Sequence, residues 1–120
     1  MATINALAGI AVRELDAGIE WYRRLLDRQP DSRPMPEVAE WEFPRGGWIQ
    51  VFADAARAGS SSVTLAEDDL DARVADLDRK NIPIRRRSDS AITRVAIVAD
   101  PDGNQVVFAQ QVDPANRSVG

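Results

Sequence analysis

The sequence predicts an α+β fold in which two similar units, each with a strand, a helix and a hairpin, follow one another in a chain of 120 residues. The main observation is an internal repeat, because "ELDAGIEWY" from Glu14 resembles "DLDARVADL" from Asp69. A glycine-containing turn then follows each helix, which aligns Gly47 with Gly103. Apolar residues alternate in the strand segments and recur every three or four residues in the helical ones. We therefore expect helices on one face of each sheet.

The first unit is predicted to begin with a strand over residues 5–12. A helix follows over residues 16–26, with Asp16 as its N-cap. Three prolines between residues 30 and 36 then favour a loop or an edge segment, because proline lacks a backbone N–H. The unit ends in a hairpin over residues 41–53 whose turn contains two glycines.

The second unit repeats this order. "SSVTLAED" has the alternation of a strand, and "DDLDARVADLDRKN" has the spacing of a helix. Asn81 suits the left-handed residue that ends a helix, and Pro83 follows it. A second hairpin joins residues 94–99 to residues 105–110 across the turn "DPDGN".

These boundaries predict a single domain over residues 1–111. Its first unit covers about residues 4–54 and its second about residues 60–111. Residues 112–120 form a polar C-terminal tail to which we assign no function.

Composition excludes several classes of protein. A net charge of −4 argues against broad binding to nucleic acid, and no stretch approaches the roughly 20 apolar residues of a membrane span. The chain contains no cysteine, which fits a reducing cytoplasm, and we expect a cytoplasmic protein. One local exception is the basic run Arg85 to Arg87, with Arg94 nearby. It is interpreted either as a solvated loop or strand edge, or as an anion-binding patch.

Three segments resemble the vicinal oxygen chelate superfamily, which includes glyoxalase I, bleomycin-resistance proteins and extradiol dioxygenases. They are "VRELDAGIEWYRRLL", "EDDLDARVADLDRKNIPI" and "DPDGNQVVF". The resemblance implies two βαβββ modules whose curved mixed sheets surround a cavity, commonly in a homodimer. In metal-dependent members, each first strand carries a histidine and a carboxylate lies near the end of the last strand.

The resemblance places the two histidine positions at Leu7 and Ser62. It places the carboxylate position at Val107, with Val51 as the counterpart in the first unit. Leucine and valine have no lone pairs to donate, and the chain contains no histidine at all. We therefore expect no metal and no cofactor, and we interpret Val107 as apolar wall of the cavity.

The same alternation places Ser62 and Thr64 on the cavity side of their strand. Gln50 offers an amide to the cavity if the first hairpin is shifted by one residue. Trp41 and Trp48 are predicted either to stack on a planar ligand or to pack under the helices or at a dimer interface. If they face the helices, Glu40 or Glu42 faces the cavity.

Arg94 precedes an apolar strand and is expected to share a face with Ala96 and Val98. Such an arginine requires a carboxylate partner or an anionic ligand, unless it lies in solvent at the strand end. The predicted ligand-binding set is Trp41, Trp48, Gln50, Ser62, Thr64, Arg94 and Val107.

Three functions are compatible with these residues. The first is metal-independent binding of a small molecule in the cavity of a homodimer, the ligand being an aromatic or cationic drug-like compound. The second is a metal-independent lyase or isomerase that uses a carboxylate and Arg94, although no catalytic residue is assigned and no nucleophilic apparatus is visible. The third is a degenerate member of the family that acts through protein–protein contacts.

Overall fold

The computed structural model describes residues 1–112, which form eight strands and two helices. All but the first residue of the predicted tail, residues 113–120, lie outside the described part. In chain order the elements are β1 (Leu7–Val12), α1 (Leu15–Leu26), β2 (Ser32–Met35), β3 (Val38–Glu42), β4 (Trp48–Ala53), β5 (Ser62–Ala66), α2 (Leu70–Arg79), β6 (Arg86–Asp89), β7 (Thr93–Ala99) and β8 (Gln105–Gln111).

The strands form two sheets with the same topology. Sheet one has the order β1-β4-β3-β2, and sheet two has the order β5-β8-β7-β6. In each sheet the first strand pairs in parallel with the last, and the other pairs are antiparallel. The predicted α+β class and the two similar units are confirmed. Each unit also has a short edge strand, β2 or β6, in a segment that the sequence predicted as a loop or an edge.

The two helices begin and end differently. The prediction that Asp16 is the N-cap of α1 is wrong. The N-cap is Glu14, and the helical hydrogen bonds start with Gly18 N, which donates to Glu14 O at 3.0 Å. Helix α2 begins after Asp69, whose side chain accepts from Ala72 N at 3.1 Å. Asn81, with φ of 56°, has the left-handed conformation predicted for it.

One face of each sheet is covered by the apolar stripe of its helix. Under α1 the rings of Tyr22 and Trp41 are neighbours, with their centroids 6.2 Å apart. Leu70 and Leu77 of α2 are completely buried in the same core, as is Phe108 of β8. Burial of these side chains removes apolar area from water, which is the main force that holds helix and sheet together.

A buried polar cluster, which we call the joint, fastens the two units to each other. Asn104, only 1% exposed, donates through Nδ2 to Ala11 O at 2.7 Å. Its Oδ1 accepts from Gly59 N at 3.0 Å and from Ser61 N at 2.9 Å. Ser61 Oγ in turn accepts from Ala11 N at 3.0 Å. One amide side chain therefore connects strand β1 to the segment that leads into β5.

Asp100 completes the joint from the start of the turn between β7 and β8. It is 4% exposed and accepts from Tyr22 OH at 2.9 Å, Asn104 N at 2.9 Å and Asn104 Nδ2 at 2.8 Å. Burial and the Asp100 charge both raise the pKa of the Tyr22 phenol, so that it stays a donor. The "DPDGN" segment therefore has a structural role in holding the units together.

Candidate functional site

The face of each sheet that is turned away from its helix, here called the open face, carries the candidate site. In β4, Ile49 and Val51 are buried against the helix, whereas Trp48, Gln50 and Phe52 are half-buried on the open face. Strands β7 and β8 alternate in the same way. This alternation follows from the period of two residues in an extended strand.

A row of paired residues crosses the open face of sheet two. Val107 is opposite Thr64 on one side and opposite Ile97 on the other. Ser62 lies two residues before Thr64 on the same face, opposite Gln105. The structure therefore brings together three of the residues that the sequence placed in the cavity, namely Ser62, Thr64 and Val107. Ser62 and Thr64 are exposed, and Val107 is half-buried.

The open face of sheet one combines aromatic and polar side chains. Trp48 is opposite Leu7, which is 48% exposed. Gln50 is opposite Glu40, and its Nε2 donates to Glu40 Oε2 at 2.7 Å. Glu40 reaches this face because Trp41, its neighbour, is turned to the helix.

Trp41 does not belong to this site. Its side chain is completely buried under α1, and its Nε1 donates to Arg28 O at 3.0 Å. A ligand on the open face has no access to it, so the prediction that Trp41 binds a ligand is wrong. The alternative interpretation, packing under the helix, describes its position.

Arg94 is also absent from the open face. It shares a face with the buried Ala96 and Val98, as expected, but that face is the one covered by α2. Its carboxylate partners are Asp71, with Nη2 2.9 Å from Oδ1, and Asp89, with Nε 3.6 Å from Oδ1. The hydrogen bond from Arg94 lowers the pKa of Asp71. Arg94 therefore connects α2 to β7. The lyase or isomerase hypothesis, which pairs Arg94 with a carboxylate in the cavity, has no arginine at that place.

The counterpart of Val107 in the first unit is Gln50 and not Val51. Thr64 pairs with Val107, and the equivalent residue of β1, Gly9, pairs with Gln50. Val51 is completely buried on the helix side.

The sequence prediction of Val51 as the counterpart is wrong because it aligns the wrong glycine of the first turn. Gly46 and Gly103 both have positive φ, 93° and 97°, so these two correspond, whereas the sequence alignment matched Gly103 to Gly47. An Arg-Gly-Gly turn does not reveal which of its glycines is left-handed, and the choice shifts the alignment of the whole strand by one residue.

The positions that the family resemblance assigns to metal ligands carry side chains that do not suit a divalent transition metal. Leu7, Gln50, Ser62 and Val107 supply one amide and one hydroxyl, a donor set too weak for a divalent transition metal. Within residues 1–112, no group of three or more histidine, cysteine, aspartate or glutamate side chains is placed to hold a metal ion.

Two shallow depressions lie away from the open faces. One, of about 470 Å³, runs along the outer side of α2 and is lined by Asp71, Val74, Ala75, Asp78, Ile82, Pro83 and Ile84. The other, of about 340 Å³, lies at the start of α1 and is lined by Glu14, Leu15, Asp16, Pro36, Glu37 and Ala53. Neither of the two helices in the described part is long and apolar enough to cross a membrane.

Sequence comparison matches residues 3–108 to the model of the Glyoxalase/Bleomycin resistance protein/Dioxygenase superfamily. The match covers both units, including the joint and all but the last residues of β8. No curated protein matches the chain in sequence.

Several solved structures share the fold. A glyoxalase/bleomycin resistance protein from Catenulispora acidiphila is 28% identical, with a TM-score of 0.81 over 90% of this chain and 98% of that one. An antibiotic-binding protein from Streptomyces sp. CB03234 is 18% identical, with a TM-score of 0.79 over 92% and 98%. A bleomycin resistance determinant encoded on transposon Tn5 is 19% identical, with a TM-score of 0.74 over 90% and 98%.

Proposed function

Because the chain belongs to the Glyoxalase/Bleomycin resistance protein/Dioxygenase superfamily, we propose that it binds a small organic molecule on the open faces of its sheets without using a metal. The observation that carries the proposal is the composition of these faces. Both present half-buried apolar side chains with a few hydrogen-bonding groups among them, the mixture that lines most small-molecule sites. Two of the similar proteins, an antibiotic-binding protein and a bleomycin resistance determinant, lend it further support.

The aromatic part of the site belongs to sheet one. Trp48 and Phe52 flank Gln50 at alternate positions of β4, so two rings and an amide share one strand face. The Arg57 guanidinium lies 5.3 Å from the centroid of the Phe52 ring. A Cβ at Gly9 would lie only 3.2 Å from Phe52 Cε1, so the glycine leaves room for this ring. Such rings favour a flat, apolar ligand body.

The metal-independent part of the proposal rests on the donor set. Val107 and Leu7 present only methyl groups where related enzymes coordinate a metal. A ligand held here makes apolar contacts at those positions, and its polar groups meet Gln50, Ser62 and Thr64.

A homodimer is the second part of the proposal. Most side chains of each open face are exposed or half-buried in the single chain. Leu7, Val95, Ile97 and Val107 are left partly exposed there, although apolar patches of this kind are ordinarily covered by a partner or a ligand. A second copy of the chain, placed over these faces, would enclose the ligand between two sheets.

Tryptophan fluorescence tests the binding site. Metal-stripped protein is titrated with N-phenylnaphthylamine, a neutral aromatic probe, and we expect saturable energy transfer that EDTA does not change. Trp48→Leu, which removes the aromatic ring, should lower the affinity about 2- to 10-fold, the range expected for one aromatic contact. Trp21→Leu is the control, because Trp21 lies on α1 away from the open face. A response that appears only when Zn²⁺ or Mn²⁺ is added would contradict metal-independent binding.

Sedimentation equilibrium tests the dimer. We expect a species of twice the 13.2 kDa chain mass, and Val95→Glu should dissociate it because the charge would be buried at the interface. Ala72→Glu, on the exposed side of α2, should leave the mass unchanged. A single 13.2 kDa species at every accessible concentration of the unmodified protein would rule the dimer out.

A further inference from the structure

The row of paired residues that crosses the open face of sheet two ends at an arginine, Arg86. Arg86 of β6 is opposite Ile97 of β7, which is opposite Val107 of β8. Residues directly opposite one another in an antiparallel pair project from the same face of the sheet. Arg86 therefore shares the open face, whereas Arg87, opposite the buried Ala96, belongs to the helix side.

Unlike Arg87 and Arg94, Arg86 binds no carboxylate among residues 1–112. Arg87 Nη2 lies 3.6 Å from Asp89 Oδ1, and Arg94 is paired with both Asp71 and Asp89. Among residues 1–112, no aspartate or glutamate forms an ion pair with Arg86.

The surroundings of Arg86 on this face are uncharged. The other side chains of β5 to β8 on this face are hydroxyl, amide or aliphatic groups. None of them is a carboxylate, so nothing on this face neutralises the guanidinium. The acidic residues Glu40 and Glu42 belong to sheet one.

We propose that the ligand is an organic anion with an apolar body and that Arg86 selects its carboxylate, phosphate or sulfonate group. This inference rests on the proposed function, because it names the class of ligand for the same open face. A guanidinium donates in a planar fork that matches such anionic groups. Neighbouring strands are spaced about 4.8 Å apart, so Val107 lies about 10 Å from Arg86 across the sheet. That span accommodates a body of one or two rings over Ile97.

The local charge on this face favours the opposite class of ligand to the one that overall composition indicates. A net charge of −4 favoured a cationic ligand. The charge that faces the site is local, however, and on sheet two it is positive. At physiological salt, screening reduces the influence of charges more than about 8 Å away, so Arg86 outweighs remote carboxylates for a group that it contacts.

Two probes that share an aromatic body test the inference. Anilinonaphthalene sulfonate carries an anionic group, and N-phenylnaphthylamine lacks it. Both are titrated into unmodified protein, Arg86→Ala, Arg86→Lys and Arg87→Ala, each variant being checked for native near-UV circular dichroism. Arg87→Ala is the matched control, since it removes the same charge from the opposite face of the same strand.

We expect Arg86→Ala to weaken sulfonate binding about fivefold and to leave the neutral probe unchanged. Arg86→Lys should restore part of the loss, and Arg87→Ala should change neither affinity. The advantage of the sulfonate over the neutral probe should also shrink at high salt.

Two results would overturn the proposal while leaving the proposed function intact. In the first, both probes bind, and Arg86→Ala and Arg87→Ala lower their affinities by the same factor. In the second, the sulfonate binds Arg86→Ala and unmodified protein with equal affinity. Failure of both probes to bind at all would refute the proposed function and the inference together. If Arg86→Ala dissociates the dimer, Arg86 contacts the partner chain and not the ligand, which also overturns the proposal.

Discussion

At the scale of single residues, Asn104 shows how one side chain determines the arrangement of a whole molecule. Its amide makes hydrogen bonds to Ala11, Gly59, Ser61 and Asp100, and all of its polar atoms are satisfied although it is buried. No apolar side chain replaces these contacts, because each backbone group would then be left unpaired away from water.

Asn104→Ala should therefore reduce the free energy of unfolding by about 3 kcal/mol, since buried partners that lose a hydrogen bond cost about 1–3 kcal/mol each. Gln105→Ala, the exposed neighbour, should cost less than about 0.5 kcal/mol. Urea denaturation followed by circular dichroism gives both values. Equal losses for the two variants would show that the joint does not hold the units together.

Residue-level predictions from the sequence succeeded wherever alternation determined them. Ser62, Thr64 and Val107 share a face because strand periodicity requires it, and the register bears this out. The sequence indicates Arg86 only as part of a basic run, because the strand that orients it is short and polar. Its face became evident only from its pairing with β7.

At the scale of elements, the ion pairs of α2 stabilise the helix and attach it to the rest of the chain. Asp76 accepts from Lys80 Nζ at 2.8 Å, Arg79 Nη2 at 2.7 Å and Arg73 Nη1 at 3.1 Å. Lys80 Nζ also donates to Leu25 O at 3.2 Å, which ties α2 to the end of α1.

Partial burial raises the pKa of Asp76, but the hydrogen bonds from Lys80 and Arg79 and the nearby positive charges outweigh it and lower the pKa overall. A lowered pKa gives stability that is present above the unfolded value of about 3.9 and is lost as the pH falls through the folded value.

Asp76→Asn should lower the free energy of unfolding by about 1 kcal/mol at pH 7, and the difference from unmodified protein should shrink as the pH falls below about 4. Thermal unfolding across this range measures it, with Asp78→Asn on the exposed side of α2 as the control. A difference that stays constant from pH 7 to pH 3 would show that the Asp76 charge does not contribute.

Elements with strong periodicity were predictable, and short edge strands were not. The core strands and both helices have apolar residues at fixed intervals, which predicts their type directly. Strands β2 and β6 contain proline or consecutive arginines and bury almost nothing. Their strand geometry comes from pairing with β3 and β7, and local sequence does not encode that pairing.

At the scale of the whole molecule, the repeat predicted two units with one topology, but it did not predict how their open faces differ. Sheet one presents Trp48, Phe52 and Glu40, whereas sheet two presents Ile97, Val107 and Arg86. The open face of sheet one is therefore aromatic and acidic, and the open face of sheet two is aliphatic and basic. Repeat periodicity specifies what two units share, so these differences emerge only from the faces that individual side chains occupy.

The most direct test of the central claim, that small molecules bind on the open faces, is a methyl NMR titration. Protein labelled at isoleucine and valine methyl groups is titrated with N-phenylnaphthylamine. We predict saturable shifts for Ile97 and Val107, which lie on the open face, and little change for Val74 and Ile84 in the groove beside α2. Shifts confined to Val74 and Ile84 would place the ligand in that groove and contradict the claim.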